Sequence, residues 1–308
     1  ESIWDTLVHD GTGRIAHSEN ADTSIDFYHR WKEDVALMKQ MGLKAYRFSI
    51  SWPRILPEGV GQVNQAGVKF YQDLCDELLT NGIQPLVTLY HWDLPTALYR
   101  KGGWKNPEIV EWFANYVDAA SKALSGRVSY WMTFNEITAI EFGPWNPAGL
   151  LITPGENREQ VIYQAAHHQF VASAKAVLLG HQIDPENKIG CMTLFGVVYP
   201  ETSHPQDAKA ADDKMSTKLA FADVQSRGEY PPHLLKNLER HGIAIQMEPG
   251  DLDLLRRGTV DYIGFSYYMS MVQAGRPTEA GQAKGNVVAG VGNPYLPSSE
   301  WGWQVDPM

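Results

Sequence analysis

The sequence has no long apolar run: no stretch reaches the 18 or so residues that a membrane span needs. Its amino end also lacks the basic, apolar and small-residue order of a secretory signal. Cysteine is scarce, with two in 308 residues. Cys75 falls in a helical pattern and Cys191 in an apolar strand pattern, far apart in the chain, which suits a reducing compartment better than a disulfide. Positive charge does not dominate: a formal net charge of -10 argues against sequence-independent nucleic-acid binding, which needs clustered Lys and Arg to displace counterions. No low-complexity tract suggests disorder, and 44% hydrophobic with 20% charged residues is ordinary for a folded chain. These absences lead us to expect a soluble, cytoplasmic globular protein, long enough for one large core over residues 1–308.

What is present is a repeated unit. Phe27, Trp31, Val35, Met38 and Met41 recur at helical spacing before Gly42, and Leu43 to Ile50 then reads as a strand. Phe70, Leu74, Leu78 and Leu79 mark a second helix, closed by Asn81-Gly82 and followed by a β-rich run from Ile83 to Tyr90. A third helix over 109–124 leads to a strand over 128–134. Helices over 159–179 and 214–226 alternate with strands over 188–195 and 260–268. Strands alternating with helices imply parallel pairing through crossovers. A doubly wound sheet usually carries a Gly-rich phosphate loop after an early strand, and none is found here, so a (β/α) barrel is expected.

In such a barrel the chemistry sits at the carboxyl ends of the strands. These ends read Arg-Phe-Ser-Ile-Ser-Trp (47–52), Tyr-His-Trp-Asp-Leu-Pro (90–95), Thr-Phe-Asn-Glu (133–136) and Phe-Ser-Tyr-Tyr (265–268). They offer donors and acceptors for hydroxyl groups, and flat rings such as Trp92 for the apolar face of a sugar. A glycosidase needs one protonated carboxylic acid and one ionised partner, and a dry strand end favours the neutral form. Glu136 stands at such an end; from position alone it is equally a helix-capping or surface glutamate. Asn135 beside it can donate to a sugar hydroxyl without competing for the proton. His91 serves equally as a sugar donor or as a loop residue bonded to a backbone carbonyl. Arg47, if it points inward, calls for a carboxylate partner. Ser266 and Tyr268 share a strand face, with Tyr267 on the other. His167-His168 lack the i, i+4 spacing of a helical metal site and read as packing or hydrogen-bonding residues. Arg256-Arg257 and the Lys- and Glu-bearing helix faces read as solvated surface.

Together these strand ends resemble glycoside hydrolase family 1. Ser-Ile-Trp-Asp-Thr (2–6), the segment 28–39, Ala-Tyr-Arg-Phe-Ser-Ile-Ser-Trp-Pro-Arg-Ile (45–55), Thr-Leu-Tyr-His-Trp-Asp-Leu-Pro (88–95) and Trp-Met-Thr-Phe-Asn-Glu (131–136) carry the resemblance in order along the chain. It implies a (β/α)8 TIM barrel, with about strands 2 to 6 present, and a retaining glycosidase that needs neither metal nor organic cofactor. It also implies that Glu136 is the general acid and then base, that His91, Asn135 and Trp92 bind the sugar, and that Arg47 and Tyr268 contact the nucleophile. Ile137 stands where the family's glucosidases commonly have proline, and Ser266 where they usually have asparagine. With the segments 162–169, 223–231 and 299–307, these departures resemble the bacterial 6-phospho-β-glucosidase branch. The implied partner is then a small 6-phosphorylated β-glucoside. A plain β-glucosidase and a catalytically silent sugar-binding protein on the same fold are the alternatives.

The chain begins at Glu1-Ser2 and stops at Pro307-Met308 after a Trp-rich segment, which leads us to expect a fragment. By the same resemblance, the family's first strand would precede Glu1, and its nucleophile and phosphate-binding cluster would follow Met308. A chain without that carboxylate is expected to turn over little on its own.

Overall fold

The computed structural model describes residues 1–11, 13–283 and 290–308. Five parallel strands form one curled sheet: β1 (Ala45–Ser49), β2 (Gln84–Tyr90), β3 (Tyr130–Asn135), β4 (Lys188–Phe195) and, after a short β5 (Val198–Pro200), β6 (Tyr262–Tyr267). The sheet order is β1-β2-β3-β4-β6, and every pairing is parallel. Parallel neighbours need a crossover, and helices supply it, so the unit read from the sequence is the unit that folds. The architecture is an incomplete (β/α)8 barrel. A second small sheet pairs β5 with β7 (Met271–Gln273) beside the β4 and β6 ends.

The helices form for the reason their spacing suggests. Helix Ile109–Ala123 buries Ile109, Phe113, Tyr116, Val117 and Ala120, a stripe at i, i+4, i+7, i+8 and i+11 that faces the sheet. Helix Gln65–Thr80 buries Val68, Tyr71, Leu74, Cys75 and Leu78, and stops where Gly82 takes the left-handed φ of +70°. Helix Arg158–Ile183 starts at Asn157, whose side chain accepts from the Glu159 and Gln160 N–H groups. Its adjacent histidines are buried hydrogen-bonding residues. His167 pairs with the Tyr230 hydroxyl at 2.8 Å and Asp251 at 2.9 Å, while His168 pairs with the Trp104 carbonyl at 2.8 Å.

The core beneath β2 and β3 is aromatic. Trp52, Tyr90, Trp104, Phe113, Tyr116 and Phe134 are all fully buried, with Phe113 and Phe134 centroids 4.8 Å apart and Trp52 stacked on Tyr116 at 5.2 Å. Both cysteines are free and buried. Among the described residues, no helix is long and apolar enough to cross a membrane, and no group of three His, Cys, Asp or Glu could hold a metal ion.

Candidate active site

Glu136 follows β3, where the pairing with β4 loses its regular register between Met132 and Asn135. Irregularities of this kind re-aim side chains, and the next residue shows it: Glu136 adopts a left-handed φ of +43°, rare for a residue with a Cβ. Its N–H donates to the Met192 carbonyl at 2.9 Å, and its own carbonyl accepts from the Ala139 N–H at 2.9 Å, which fixes the backbone on both sides. The side chain is 6% exposed. It lines a cavity of about 320 Å³ together with Trp92, Phe142, Leu194, Phe195, Tyr268 and Trp303.

Trp92, at the end of β2, also has a positive φ, +73°. Three hydrogen bonds hold the strained turn in place. The Trp92 carbonyl accepts from the Trp4 indole at 2.8 Å, the Trp92 indole donates to the Asn135 carbonyl at 2.9 Å, and the Ile3 N–H donates to the Leu94 carbonyl at 2.9 Å. The short amino-terminal helix Ile3–His9 therefore works as a clamp on the site.

Arg47 leaves β1 and reaches across two strands, its Nε donating to Thr88 Oγ1 at 3.0 Å and a terminal nitrogen to Asn135 Oδ1 at 2.8 Å. Among the described residues, its hydrogen-bond acceptors are thus a hydroxyl and an amide. The inward-pointing guanidinium is shared among neutral acceptors, with Glu136 acting on it by charge from further away. Burial lowers the Arg47 pKa, while the charges of Glu136, Tyr262 and Tyr268 oppose that. Because Arg47 engages Asn135 Oδ1, the Nδ2 is the end of the amide that makes no hydrogen bond to the described residues.

His91 is exposed, and its ring meets Trp92 edge-on at 5.3 Å. The atoms packed around the ring and then the Arg47 charge push its pKa down to about 4, so it is neutral at physiological pH. His91 lines a separate cleft with Arg47 and Thr88. Tyr268 lies one residue past β6, half exposed, with its ring 5.7 Å from Trp303. The structure thus brings Glu136, Trp92 and Tyr268 to one cavity and Arg47, His91 and Thr88 to a neighbouring cleft, joined through Asn135.

The residues also match a family model over their whole length, that of glycosyl hydrolase family 1, residues 1–308. The chain belongs to glycosyl hydrolase family 1. This family 1 chain is 50% identical over 285 residues to an aryl-phospho-beta-D-glucosidase, BglH, of Bacillus subtilis (strain 168), covering 92% of this chain and 61% of the relative. It is 44% identical over 285 residues to the 6-phospho-beta-glucosidase AscB of Escherichia coli (strain K12), covering 92% and 60%. Against the solved family 1 b-glucosidase from Thermotoga maritima it superposes with a TM-score of 0.83 at 34% identity, covering 99% of this chain and 67% of that one. The chain spans less than two thirds of the length of either curated relative.

Two residues at the candidate site of this family 1 chain take positions that the sequence did not suggest. Asp93 accepts the Trp52 N–H at 3.0 Å and ties β2's loop to the chain leaving β1. Lys218 departs from the expectation that lysine-bearing helix faces are solvated: it is 3% exposed and lines the Glu136 cavity. The physical reason is the length of its helix, which runs from Pro205 to Arg227 instead of 214–226 and lays one face against the small sheet. The signal was in the spacing, since Ala211, Lys218, Ala222 and Gln225 fall on one helical stripe and all are buried. A larger cavity of about 830 Å³ lies among the outer helices, between Val110, Val171 and Leu254, away from every strand end. Chemistry in a barrel belongs to the strand ends, so the smaller cavity is the candidate.

Proposed function

We propose that the protein is a retaining β-glycosidase acting on 6-phospho-β-glucosides, with Glu136 as its acid and base. One observation carries the reading: Glu136 is buried at the wall of a largely apolar cavity, and among the described residues lining it no other is acidic. It is thus the one carboxyl among the described lining residues that can give a proton to a bound glycoside and take one back. In the first step Glu136 donates its proton to the glycosidic oxygen as an ionised carboxylate attacks the anomeric carbon and the bond to the leaving group breaks. In the second, the Glu136 carboxylate takes a proton from water, the oxygen attacks the same carbon, and the first carboxylate departs. Two inversions give net retention, with the carboxyls about 5 to 5.5 Å apart. The attacking carboxylate comes from the part of the family's barrel that follows these strands.

The remaining residues divide the work of holding. Asn135 Nδ2 donates to a sugar hydroxyl because Arg47 occupies Oδ1, and neutral His91 offers a second contact. Arg47 steadies the attacking carboxylate by its charge and Tyr268 by its hydroxyl. The phosphate preference is supported by the names of the relatives BglH and AscB and by Ile137 and Ser266. The likeness to the Thermotoga maritima β-glucosidase keeps a plain glucoside as the competing substrate.

The deciding experiment compares hydrolysis of 4-nitrophenyl 6-phospho-β-glucoside with that of the plain glucoside by the protein carrying its full barrel, and repeats both with Glu136→Gln. The phosphorylated substrate should be preferred. Glu136→Gln should lower kcat on poorly leaving alkyl glycosides by about 10²- to 10⁴-fold and on nitrophenyl glycosides by less, since that leaving group needs less protonation. Undiminished alkyl glycoside hydrolysis rules out Glu136 as the acid.

A further inference from the structure

Lys218 stands out among the charged groups of the molecule. Its Nζ meets the Met271 sulfur at 3.7 Å and lies 5.5 Å from the Phe142 ring centroid. Neither neighbour carries negative charge, and among the described residues Lys218 forms no ion pair. A buried ammonium costs stability unless something compensates it, and a sulfur with a ring face compensates weakly. Burial and the nearby Lys214 push its pKa down to about 8, with Glu141 opposing.

The cavity that receives this ammonium has flat and apolar walls, among them Trp92, Phe142, Phe195, Tyr268 and Trp303. Glu136 lines it, whereas Arg47 and His91 open on the other cleft. If Glu136 protonates the leaving oxygen while Arg47 and His91 hold the sugar from the other cleft, the leaving group extends into the Glu136 cavity, past Trp92 and Tyr268. This placement rests on the function proposed above.

We propose that Lys218 is the anion-recognising residue of a leaving-group subsite, and that this subsite takes flat aromatic aglycones bearing a carboxylate. The ring stacks among the aromatic walls, and the carboxylate supplies the direct ion-pair partner that Lys218 does not have among the described residues. The Met271 and Phe142 contacts hold the stem, so the ammonium is positioned before the ligand arrives.

The test is direct binding to the purified chain at pH 7, with 4-hydroxybenzoate and its neutral counterpart 4-hydroxybenzyl alcohol as probes, read by calorimetry and tryptophan fluorescence. 4-Hydroxybenzoate should bind at least about tenfold more tightly. Lys218→Met should bring the two affinities together, and Lys218→Gln, which keeps a polar head on a similar stem, should do the same should the first variant fail to fold. Equal affinities in the unaltered chain, no saturable binding of either probe, or a preference that survives substitution overturns the proposal. Binding of a free phenol involves no catalysis, so this outcome is separate from that of Glu136→Gln.

Discussion

The middle and the margins of the sheet are built from similar residues yet behave differently. β3 reads Tyr-Trp-Met-Thr-Phe-Asn and is buried from its second residue onward; β6 reads Tyr-Ile-Gly-Phe-Ser-Tyr and leaves Phe265 64% exposed. What separates them is the company each strand keeps. β3 has β2 and β4 on its flanks, with helix Arg158–Ile183 packed against it and Phe113 of helix Ile109–Ala123 against its Phe134, whereas β6 has a strand on one flank only, β4, and touches helix Pro205–Arg227. Burial is a property of the neighbours, and so is the definition of a site. Glu136, at the end of β3, is fixed through both adjoining strands, while Tyr268, at the end of β6, is half open to solvent.

The largest effect should come from the packed middle. Phe113 is fully buried and touches Phe134, Trp52 and Tyr116 at centroid distances of 4.8, 5.3 and 5.8 Å. Phe113→Ala should cost about 3–5 kcal/mol, since the aromatic cluster cannot close over so large a void. Phe265→Ala, the same change at the margin, should stay within about 0.5 kcal/mol. Urea midpoints of the two variants measure the contrast directly. Comparable losses would mean that the margin is packed as tightly as the middle.

The same contrast explains what was legible in the sequence. Strands and helices with a clear period were readable, and β4 falls on the residues its pattern marks, Lys188–Phe195. The three-residue strands β5 and β7 and the short helices Ile3–His9 and Pro232–Arg240 were not, because so few residues carry no period. At the site, the strand-end rule brought out Glu136, Asn135, His91, Trp92, Arg47 and Tyr268, because a barrel gathers strand ends whatever the loops do. Lys218 was hidden by its residue type, since a lysine on a helix is ordinarily solvated. The partner of Arg47 was hidden for another reason. Which of several acceptors a long side chain reaches depends on the register of three strands, and register is set by tertiary packing.

Arg47 offers a sharper test, being a marginal residue whose side chain works in the middle. Arg47→Met keeps most of the stem but leaves Asn135 Oδ1 and Thr88 Oγ1 without their donor. A loss of about 1–3 kcal/mol is expected, larger than exposure of β1 alone predicts. The substitution also removes the positive charge that helps hold His91 down, so the His91 pKa should rise from about 4 yet stay below the ordinary histidine value while its burial persists. Titration of the imidazole signals by NMR reports the shift. An unmoved His91 would mean that burial alone sets its pKa.

The smallest effect asks whether the middle is stable in every respect, and Asp93 indicates that it is not. Its Oδ2 accepts the Trp52 N–H, while its Oδ1 is buried and, among the described residues, meets no donor at full hydrogen-bond geometry. Burial pushes the Asp93 pKa up to about 7, opposed by hydrogen bonds from Ser51 and from backbone N–H groups. In the unfolded chain a carboxyl of this kind ionises near pH 3.9, so the folded state binds the proton more tightly. The contribution of Asp93 to stability is therefore fully present below about pH 4 and is lost as pH rises through about 7. Asp93→Asn can keep an oxygen on the Trp52 N–H but has no proton to lose. The variant should match the parent chain near pH 4 and exceed it at pH 8, the difference opening between about pH 4 and about pH 7. Denaturation midpoints across that window decide the matter: a difference between the two proteins that stays constant with pH would show that Asp93 titrates alike in both states.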